Sequence, residues 1–265
     1  MSVYATGLTG TIGSFLPDSV KPINIDLSSN ADEFAKLKFK KSDIIIHLGA
    51  VVGNRLVEEN YDYAYKVNVR GTRLLAEVAL TQEIAKFFYI SSSHVYKSKT
   101  TNLLEYDDLE ASTPYAMNKL DAERQLENIF RQQRSKLVIL RVFSILDWGM
   151  PSFTLGGALE QALQDKEVLI SNGDDIRDFL TPKLVAKILY NLTFIKDLPQ
   201  VINICSGIGT SVALVAEIML KNMNNFSNVI ISPGVSEKPI IIGNNKILRK
   251  LLPEISLSFN PTFLS

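Results

Sequence analysis

The sequence is poor in cysteine and has no excess of charge of either sign. It contains one cysteine, Cys205, among 265 residues, and its 28 basic residues balance 28 acidic ones. A single cysteine excludes an intramolecular disulfide framework and a cysteine-rich zinc site, and we expect no bound metal. The balanced charge excludes a whole-protein field that would attract nucleic acid or an anionic membrane, so an anionic ligand needs a local site.

Long apolar runs are also missing from the sequence. The first run, from Val3 to Thr6, is too short and too uncharged at its front for a signal peptide. No later stretch approaches about 18 uninterrupted apolar residues, and there is no internal repeat. We therefore expect a cytoplasmic protein without a membrane partner, and the chain is long enough to bury a sizeable core.

Short apolar runs rich in β-branched and aromatic residues recur along the chain, and each has the length of a strand. Between them lie longer segments with helical periodicity, such as Val67 to Val78 and Leu120 to Phe130. This alternation predicts an α/β fold with helices on both faces of a doubly wound parallel sheet. The predicted strands are Ser2–Thr6, Asp43–Leu48, Lys86–Ser91, Lys136–Val142 and Val201–Cys205.

Beyond Val142 the pattern loosens, because prolines and glycines interrupt shorter helices. We expect these helices at Leu155–Gln164, Thr181–Ile195 and Ser211–Met223. The chain is therefore predicted to divide into a large domain, residues 1–147, and a smaller lobe, residues 148–265. The strand at 201–205 is expected to return to the large domain.

Glycines recur at every third position directly after the first predicted strand. Gly7, Gly10 and Gly13 lie in the segment Thr6–Gly13, where they let the backbone turn tightly and approach a pyrophosphate. We expect a helix to follow, with its N-terminus facing the phosphates. Three glycines alone are weak evidence, but a strand before them and a helical stretch after them predict a dinucleotide site.

An acidic partner for the adenosine ribose is expected about 20 residues beyond the first glycine. Asp26 ends the predicted strand Lys21–Ile25 and lies close to that spacing. In the alternative interpretation, Asp26 and Leu27 only end the strand and open the loop to the next helix. Pro17 shortens the helix after the glycines, because a proline inside it would remove a hydrogen bond and clash.

Tyr115 and Lys119 are four residues apart in a segment that reads as a helix from Pro114 onward. Their side chains therefore leave the same helix face one turn apart. A nearby ammonium lowers the pKa of a phenol, which would let Tyr115 exchange a proton with a carbinol while hydride moves. The serines at 91–93 follow a predicted strand and place hydroxyls at the carboxyl edge of the sheet, where ligands of open α/β folds bind.

Together these motifs resemble the extended short-chain dehydrogenases, also called the NAD-dependent epimerase/dehydratase family of nucleotide-sugar enzymes. The resemblance covers most of the chain and consists of six ordered segments. They are the glycine loop Thr6–Gly13, the strand end His47–Ala50, the helix segment Asn68–Thr72, the serine segment Ser91–Tyr96, the pair Tyr115 and Lys119, and the loop Arg177–Phe179 with the strand Val201–Ile204 that follows it.

The resemblance implies a Rossmann-type domain that binds NAD or NADP, with NAD preferred, and a C-terminal lobe that mainly binds substrate. It implies a nucleotide sugar as substrate and a homodimer that pairs through the helices Val67–Ala79 and Tyr115–Phe130. The implied cofactor-binding residues are Gly7, Thr9, Gly10, Thr11, Ile12, Gly13, Asp26, Leu27, Leu48, Gly49, Ala50, Asn68, Tyr115 and Lys119.

By the same resemblance, Ser92 rather than Ser91 is the catalytic serine, Tyr115 is the proton donor or acceptor, and Lys119 tunes Tyr115 with support from Asn68. Ser91 and Ser93 would only cap and pack the turn in the alternative interpretation. The implied substrate-binding residues are Ser93, His94, Ser144 and Arg177, the last of them on the diphosphate.

The two histidines are interpreted differently. His94 falls where several family members that remove or invert a carbon-bound proton carry an additional acid or base, and histidine acts on either side of neutral pH. His94 would then be catalytic, although a histidine that only hydrogen-bonds substrate or backbone is an equal alternative. His47 lies inside an apolar run, and we interpret it as a core or strand-end residue.

The sequence departs from the family pattern in three places. Only residues 14–25 lie between the glycine loop and Asp26, so one strand and its helix are expected to be missing. After the strand that ends at Val142, Ser144 stands where the family has asparagine, and Ile145–Gly149 replaces the usual Tyr-Gly-Pro. The C-terminal lobe is also short.

We therefore expect NAD(P)-dependent hydride transfer on a nucleotide sugar, at C4, by an epimerase, a dehydratase or a 4-keto-sugar reductase. The alternative is a dinucleotide-binding regulator or scaffold that kept the fold and lost turnover.

Overall fold

The predicted strands assemble into one parallel sheet in the computed structural model, which describes residues 1–152, 154–163, 168–222, 229–232 and 240–259. The described strands are β1 (Val3–Thr6), β2 (Lys21–Pro22), β3 (Ile44–His47), β4 (Lys86–Ser92), β5 (Leu137–Val142), β6 (Ser144–Ile145), β7 (Val168–Ile170), β8 (Ile176–Leu180), β9 (Val201–Ile204), β10 (Gly209–Ser211), β11 (Val229–Ile231) and β12 (Ile240–Ile241).

The described α-helices are α1 (Ala31–Ala35), α2 (Asn54–Glu59), α3 (Tyr61–Tyr65), α4 (Thr72–Thr81), α5 (Pro114–Ile129), α6 (Leu155–Leu163), α7 (Pro182–Leu192), α8 (Val212–Asn222) and α9 (Lys246–Leu251). A π-helical segment, Lys66–Gly71, joins α3 to α4. Gln164 and Met223, the expected ends of two helices, lie outside the described residues.

The large sheet has the strand order β2-β1-β3-β4-β5-β9, and every neighbouring pair is parallel. Helices α4 and α5 cover one face, where Leu75 and Leu126 pack with Ile45 of β3. Helices α7 and α9 cover the other face, where Ile188 and Leu248 are buried. The α/β fold with a doubly wound Rossmann-type sheet is therefore confirmed.

The helix expected after the glycine loop is not formed, and this prediction was wrong. Only one turn of 3₁₀-helix follows, at Gly13–Phe15, and Leu16 then turns to an extended conformation. The proline at position 17 accounts for the change, because the residue before a proline disfavours the α conformation. The chain then runs directly into β2 beside β1, so the sheet is abbreviated at this edge, as the short spacing predicted.

The smaller lobe is built around β8, which pairs with β6, β10 and β12. A second core packs α6 and α8 against it through Leu159, Phe179 and Met219. Strand β9 leaves this region and lies beside β5. The division at residues 147 and 148 stays a prediction. Among the residues with described positions, we find no helix with both the length and the apolar character needed to cross a bilayer.

Candidate active site

The glycine loop is packed so tightly against its surroundings that side chains do not fit. Gly7 has a φ of +68°, and a Cβ there would lie 2.8 Å from the nitrogen of Gly49 at the end of β3. A Cβ on Gly13 would lie 2.1 Å from the carbonyl oxygen of Gly7, and the amide of Gly10 donates to the same oxygen at 3.0 Å. Gly7 and Gly13 therefore have no room for a side chain, and the backbone of Gly7 also has a conformation that favours glycine.

His47 joins the end of β1 to the helix layer. Its Nδ1 lies 2.7 Å from the Thr6 hydroxyl and its Nε2 lies 2.8 Å from the Thr72 hydroxyl. Because Thr72 donates its own proton to the Asn68 carbonyl, Nε2 must be the protonated nitrogen, and Thr6 then donates to Nδ1 while it accepts from Gly49 N–H. Burial lowers the pKa of His47 to about 3, so the imidazole is neutral and structural.

Asn68 fixes the loop after β3. Its Oδ1 accepts from Val51 N–H at 2.7 Å, and its Nδ2 donates to the Val51 carbonyl at 2.9 Å. Both ends of the amide are thus bound to Val51, and the support of Lys119 by Asn68 stays a prediction. The preceding loop residues Leu48, Gly49 and Ala50 are half-buried beside the glycine loop.

Asp26 and Leu27 follow β2 in the chain, and Leu27 packs beside the loop after β3. Asp26 is exposed, and its Oδ1 accepts from Ser28 N–H at 2.8 Å, which lowers the pKa of the carboxyl. Leu27 packs against Gly49 and Gly71, where added Cβ atoms would touch it. This geometry accounts for Asp26 as a turn residue, and its role at the ribose stays a prediction.

Helix α5 carries Tyr115 to the edge of the sheet. Thr113 caps the helix by accepting from Ala116 N–H, and Pro114 occupies its first turn, a position where proline needs no amide donor. Ser92 at the end of β4 lies close to the phenol of Tyr115 and acts to lower its pKa. The sheet and the helix therefore bring together the phenol and the serine hydroxyl that the sequence analysis paired.

The expected lowering of the Tyr115 pKa is not what the structure shows. Burial raises the pKa of this phenol to about 12, and the nearby Ser92 offsets only part of the effect. The ammonium of Lys119 lies 5.9 Å from the centroid of the Tyr115 ring and donates to the Ile90 carbonyl at 2.7 Å. Desolvation therefore outweighs the field of the ammonium at this phenol.

Lys119 is itself strongly affected by its surroundings. It is buried, and burial lowers its pKa to about 8, while Glu123 raises it. Its ammonium also lies 5.0 Å from the centroid of the Tyr89 ring. Close to neutral pH the group therefore changes charge easily, as a buried lysine does.

A buried ion pair behind Lys119 was missed in the sequence analysis. Arg141 of β5 donates to both oxygens of Glu123 at 3.1 and 2.7 Å, and Ser91 donates to the same carboxylate. Two signals could have found it, a carboxylate four residues after Lys119 and an arginine inside the apolar run of β5.

The serine segment turns sharply after β4. Ser92 accepts from His94 N–H at 3.2 Å and caps the 3₁₀ turn Ser93–Val95. Ser93 is buried and His94 is half-buried. The backbone thus places the side chains of Ser92 and His94 at the same end of the strand.

Ser144 and Arg177 are brought near each other by strand pairing in the smaller lobe. Ser144 of β6 lies opposite Phe179 of β8, two residues from Arg177. Arg177 is bound to Asp175 at 2.5 Å, and burial lowers its pKa. The guanidinium of Arg177 is paired with the Asp175 carboxylate, so a bound diphosphate would have to share the guanidinium with that carboxylate.

The arrangement fits a nicotinamide dinucleotide. The glycine cradle would be filled by a Cβ at Gly13, and the phenol, hydroxyl and ammonium meet at the carboxyl edge of the sheet, where such folds bind ligands. Within the described ranges we find no cluster of three or more histidine, cysteine or carboxylate side chains able to hold a metal ion.

Comparison with known proteins gives a family match that begins just after the glycine loop. A family model described as NAD dependent epimerase/dehydratase family matches residues 15–205. The chain is 28% identical over 203 residues to GDP-6-deoxy-D-talose 4-dehydrogenase of Aggregatibacter actinomycetemcomitans, which covers 74% of this chain and 67% of that protein. This chain covers only 44% and 49% of the length of two other relatives that it resembles.

Solved structures show the same fold at low identity. UDP-glucuronic acid 4-epimerase from Bacillus cereus, in complex with UDP-glucuronic acid and NAD, has a TM-score of 0.87 at 20% identity, covering 100% of this chain and 96% of the other. RMD from Pseudomonas aeruginosa, complexed with NADPH, has a TM-score of 0.86 at 20% identity over the same shares. These likenesses extend the agreement in fold to the whole chain.

Proposed function

The chain belongs to the NAD dependent epimerase/dehydratase family, and on that premise we propose that it transfers hydride between a nicotinamide dinucleotide and a sugar carried on a nucleoside diphosphate. The observation that carries the proposal is the proximity of Ser92 to the phenol of Tyr115, with the ammonium of Lys119 5.9 Å from the centroid of the phenol ring. A phenol and a hydroxyl that lie close together can both hydrogen-bond the same substrate oxygen.

In this proposal Tyr115 moves the proton and Ser92 orients the reacting oxygen. With a pKa of about 12, Tyr115 is protonated at neutral pH and is ready to donate to a carbonyl oxygen. The dinucleotide would supply or accept the hydride. Lys119 would hold the nicotinamide ribose and stabilise the phenolate, because an ammonium favours the charged form of a nearby acid.

The remaining predicted contacts form two groups. The glycine loop residues, Asp26 and Leu27, the loop from Leu48 to Ala50 and Asn68 would contact the dinucleotide. Ser93, His94, Ser144 and Arg177 would contact the sugar nucleotide, with Arg177 at the diphosphate. Support comes from their positions at the ends of β1, β3 and β4 and on the adjoining strands β6 and β8.

Whether the dinucleotide regains its oxidation state within one turnover distinguishes an epimerase or dehydratase from a reductase. His94, at the end of β4, is the group that would remove or return a carbon-bound proton in the first two cases. In the third case it would only bind substrate. Relatives of both kinds are known, a 4-dehydrogenase and 4,6-dehydratases by their names.

A homodimer is part of the proposal. A cavity of about 360 Å³ lies between α3 and α5, and the exposed side chains of Tyr61 and Met117 line it. Asn118 is buried there with both amide atoms lacking a partner among the described residues. Light scattering should show that Met117→Arg is a monomer. Tyr106→Arg, at an exposed site elsewhere, should leave the molecular mass of the dimer unchanged. A monomeric wild-type protein would refute the dimer.

The proposed function is tested by binding and by turnover. The purified protein is titrated with NADH and NADPH by fluorescence, and then incubated with nucleotide sugars plus oxidised dinucleotide, or 4-keto sugars plus reduced dinucleotide, with products read by mass spectrometry. Tightly bound endogenous dinucleotide favours an epimerase or dehydratase, and exchangeable dinucleotide favours a reductase.

Tyr115→Phe is the decisive variant. It should lower turnover by about 10² to 10⁴-fold, because it removes the proton donor, and Tyr106→Phe at an exposed position is the matched control. Dinucleotide binding without turnover, and without any effect of Tyr115→Phe, would favour a binding regulator. The observation that favours a binding regulator is the single 3₁₀ turn after the glycine loop, where a longer helix was expected.

A further inference from the structure

Glu123 continues the line of side chains that begins with Tyr115 and Lys119. The three residues are four apart on α5 and therefore share one face of the helix. Lys119 and Glu123 are both buried, with 4% and 2% of their surfaces exposed. A charged pair at such depth is costly to form, so its position next to the candidate site calls for an explanation.

The carboxylate of Glu123 accepts three hydrogen bonds from two residues. Arg141 donates to both of its oxygens, through Nε at 3.1 Å and Nη2 at 2.7 Å. Ser91, the residue before Ser92 on β4, donates its hydroxyl to the same group. Arg141 is in turn bound through Nη1 to the Glu105 carbonyl at 3.1 Å and lies over the ring of Tyr96. The carboxylate is thereby fixed in place and tied to the strand end that carries Ser92.

The groups that face Lys119 come from three elements. Strand β4 contributes the ring of Tyr89 and the carbonyl of Ile90, and β3 contributes His47, which is neutral because burial lowers its pKa to about 3. Helix α5 contributes Tyr115 and Glu123, and only the last of these brings a negative charge.

We propose that Glu123 is a positioning residue whose carboxylate, clamped by Arg141 and Ser91, keeps the Lys119 ammonium charged beside Tyr115 and fixes the end of β4 that carries Ser92. Burial acts against the charge on Lys119, and Glu123 acts in its favour. Arg141 makes the buried carboxylate tolerable, because an unpaired carboxylate in the interior would take up a proton. The consequence for turnover rests on the proposed function, but the charge on Lys119 does not.

The test measures the charge on Lys119 directly in the protein without ligand. Lysine is labelled with ¹³C at Cε, the Lys119 resonance is assigned by its loss in Lys119→Met, and its pH titration is followed by NMR. Glu123→Gln preserves the shape of the side chain and removes its charge. It should shift the Lys119 titration down by about one unit, as the loss of a nearby opposite charge does.

Two further variants keep the test interpretable. Glu123→Gln leaves Arg141 buried without a counter-charge and is expected to be less stable, so the double variant Glu123→Gln with Arg141→Met removes both charges together. It should fold and should still shift the Lys119 titration down, by less than Glu123→Gln alone, because the positive charge of Arg141 is removed as well. Glu127→Gln, an exposed carboxylate one turn further along α5, is the matched control and should leave the Lys119 titration unchanged.

The outcomes separate this proposal from the proposed function. A Lys119 titration that is the same in wild type and in the folded double variant overturns the positioning role, whether or not the protein has activity. If the shift is found, the limb of the pH profile of kcat/KM that reports Lys119 should move down by the same amount. A shift in the NMR titration without any turnover in wild type supports the role of Glu123 and counts against the enzymatic proposal alone.

Discussion

Ser92 lies beside the phenol of Tyr115, although one residue ends strand β4 and the other lies in the first turn of helix α5. The contact arises because β4 and α5 are packed together, with Lys119 donating to the backbone of β4. It places two groups with complementary hydrogen-bonding roles at one point of the sheet edge.

Ser92→Ala should lower kcat/KM by about 10²-fold and leave dinucleotide binding close to wild type, because the serine contacts the reacting oxygen rather than the cofactor. Steady-state kinetics together with an NADH titration measure both quantities. The exposed Ser98 provides the control, and Ser98→Ala should behave as wild type. A loss of NADH affinity that accounts for the whole effect would contradict the assigned role.

Gly13→Ala should destabilise the protein by about 1 to 3 kcal/mol and weaken NADH binding, because overpacking forces backbone to move. The added Cβ would lie 2.1 Å from the Gly7 carbonyl oxygen, whereas on Gly10 the corresponding distance is 3.2 Å. Gly10→Ala is therefore the milder matched change. Urea unfolding measures the free energy of unfolding of the two variants. A Gly10→Ala protein that is less stable than Gly13→Ala would refute this packing argument.

Asp26→Asn should weaken NADH binding about 10-fold if the carboxylate meets the adenosine ribose, because hydrogen bonds to charged groups are stronger than neutral ones. The amide oxygen of asparagine can still accept from Ser28 N–H, so the local turn is preserved. Asp62→Asn, on the exposed face of α3, serves for comparison. Equal affinities in a fluorescence titration would leave Asp26 as a turn residue only.

His47 should make the protein sensitive to acid. Its pKa is lowered to about 3 in the folded state and returns to about 6.5 on unfolding, so the unfolded chain takes up a proton first. The stability that depends on neutral His47 is fully present above about pH 6.5 and is lost as the pH falls toward about 3, by about 3 kcal/mol already at about pH 4.5.

His47→Gln removes this titration. Its free energy of unfolding, measured in urea, should be lower than wild type at neutral pH but should fall less steeply between about pH 6.5 and about pH 4.5. For each protein, the change in the free energy of unfolding is counted from its own value at neutral pH. The packing lost in His47→Gln therefore does not affect the slope. Parallel slopes in the two proteins would show that His47 does not titrate on unfolding.

Much of the fold could be predicted, because strand length and helical period are local properties. The runs around Ile45, Tyr89 and Ile139 became β3, β4 and β5 with ends shifted by a residue or so. The helix after the glycine loop could not be predicted from the glycines, because the conformation of Leu16 before Pro17 ended it after one turn. The pairing of Asn68 with Val51 likewise depends on how the loop after β3 packs, which spacing alone does not reveal.

The order of apolar runs and turns by itself determined the doubly wound sheet, and the motifs with Gly7, Ser92, Tyr115 and Lys119 identified the family, because each depends on short-range geometry. Only the tertiary structure decided how these groups are charged. The pKa of Tyr115 is raised rather than lowered, and the pKa of Lys119 depends on burial and on Glu123, which is paired with Arg141. Burial and the fields of residues distant in sequence exist only after the strands and helices have packed.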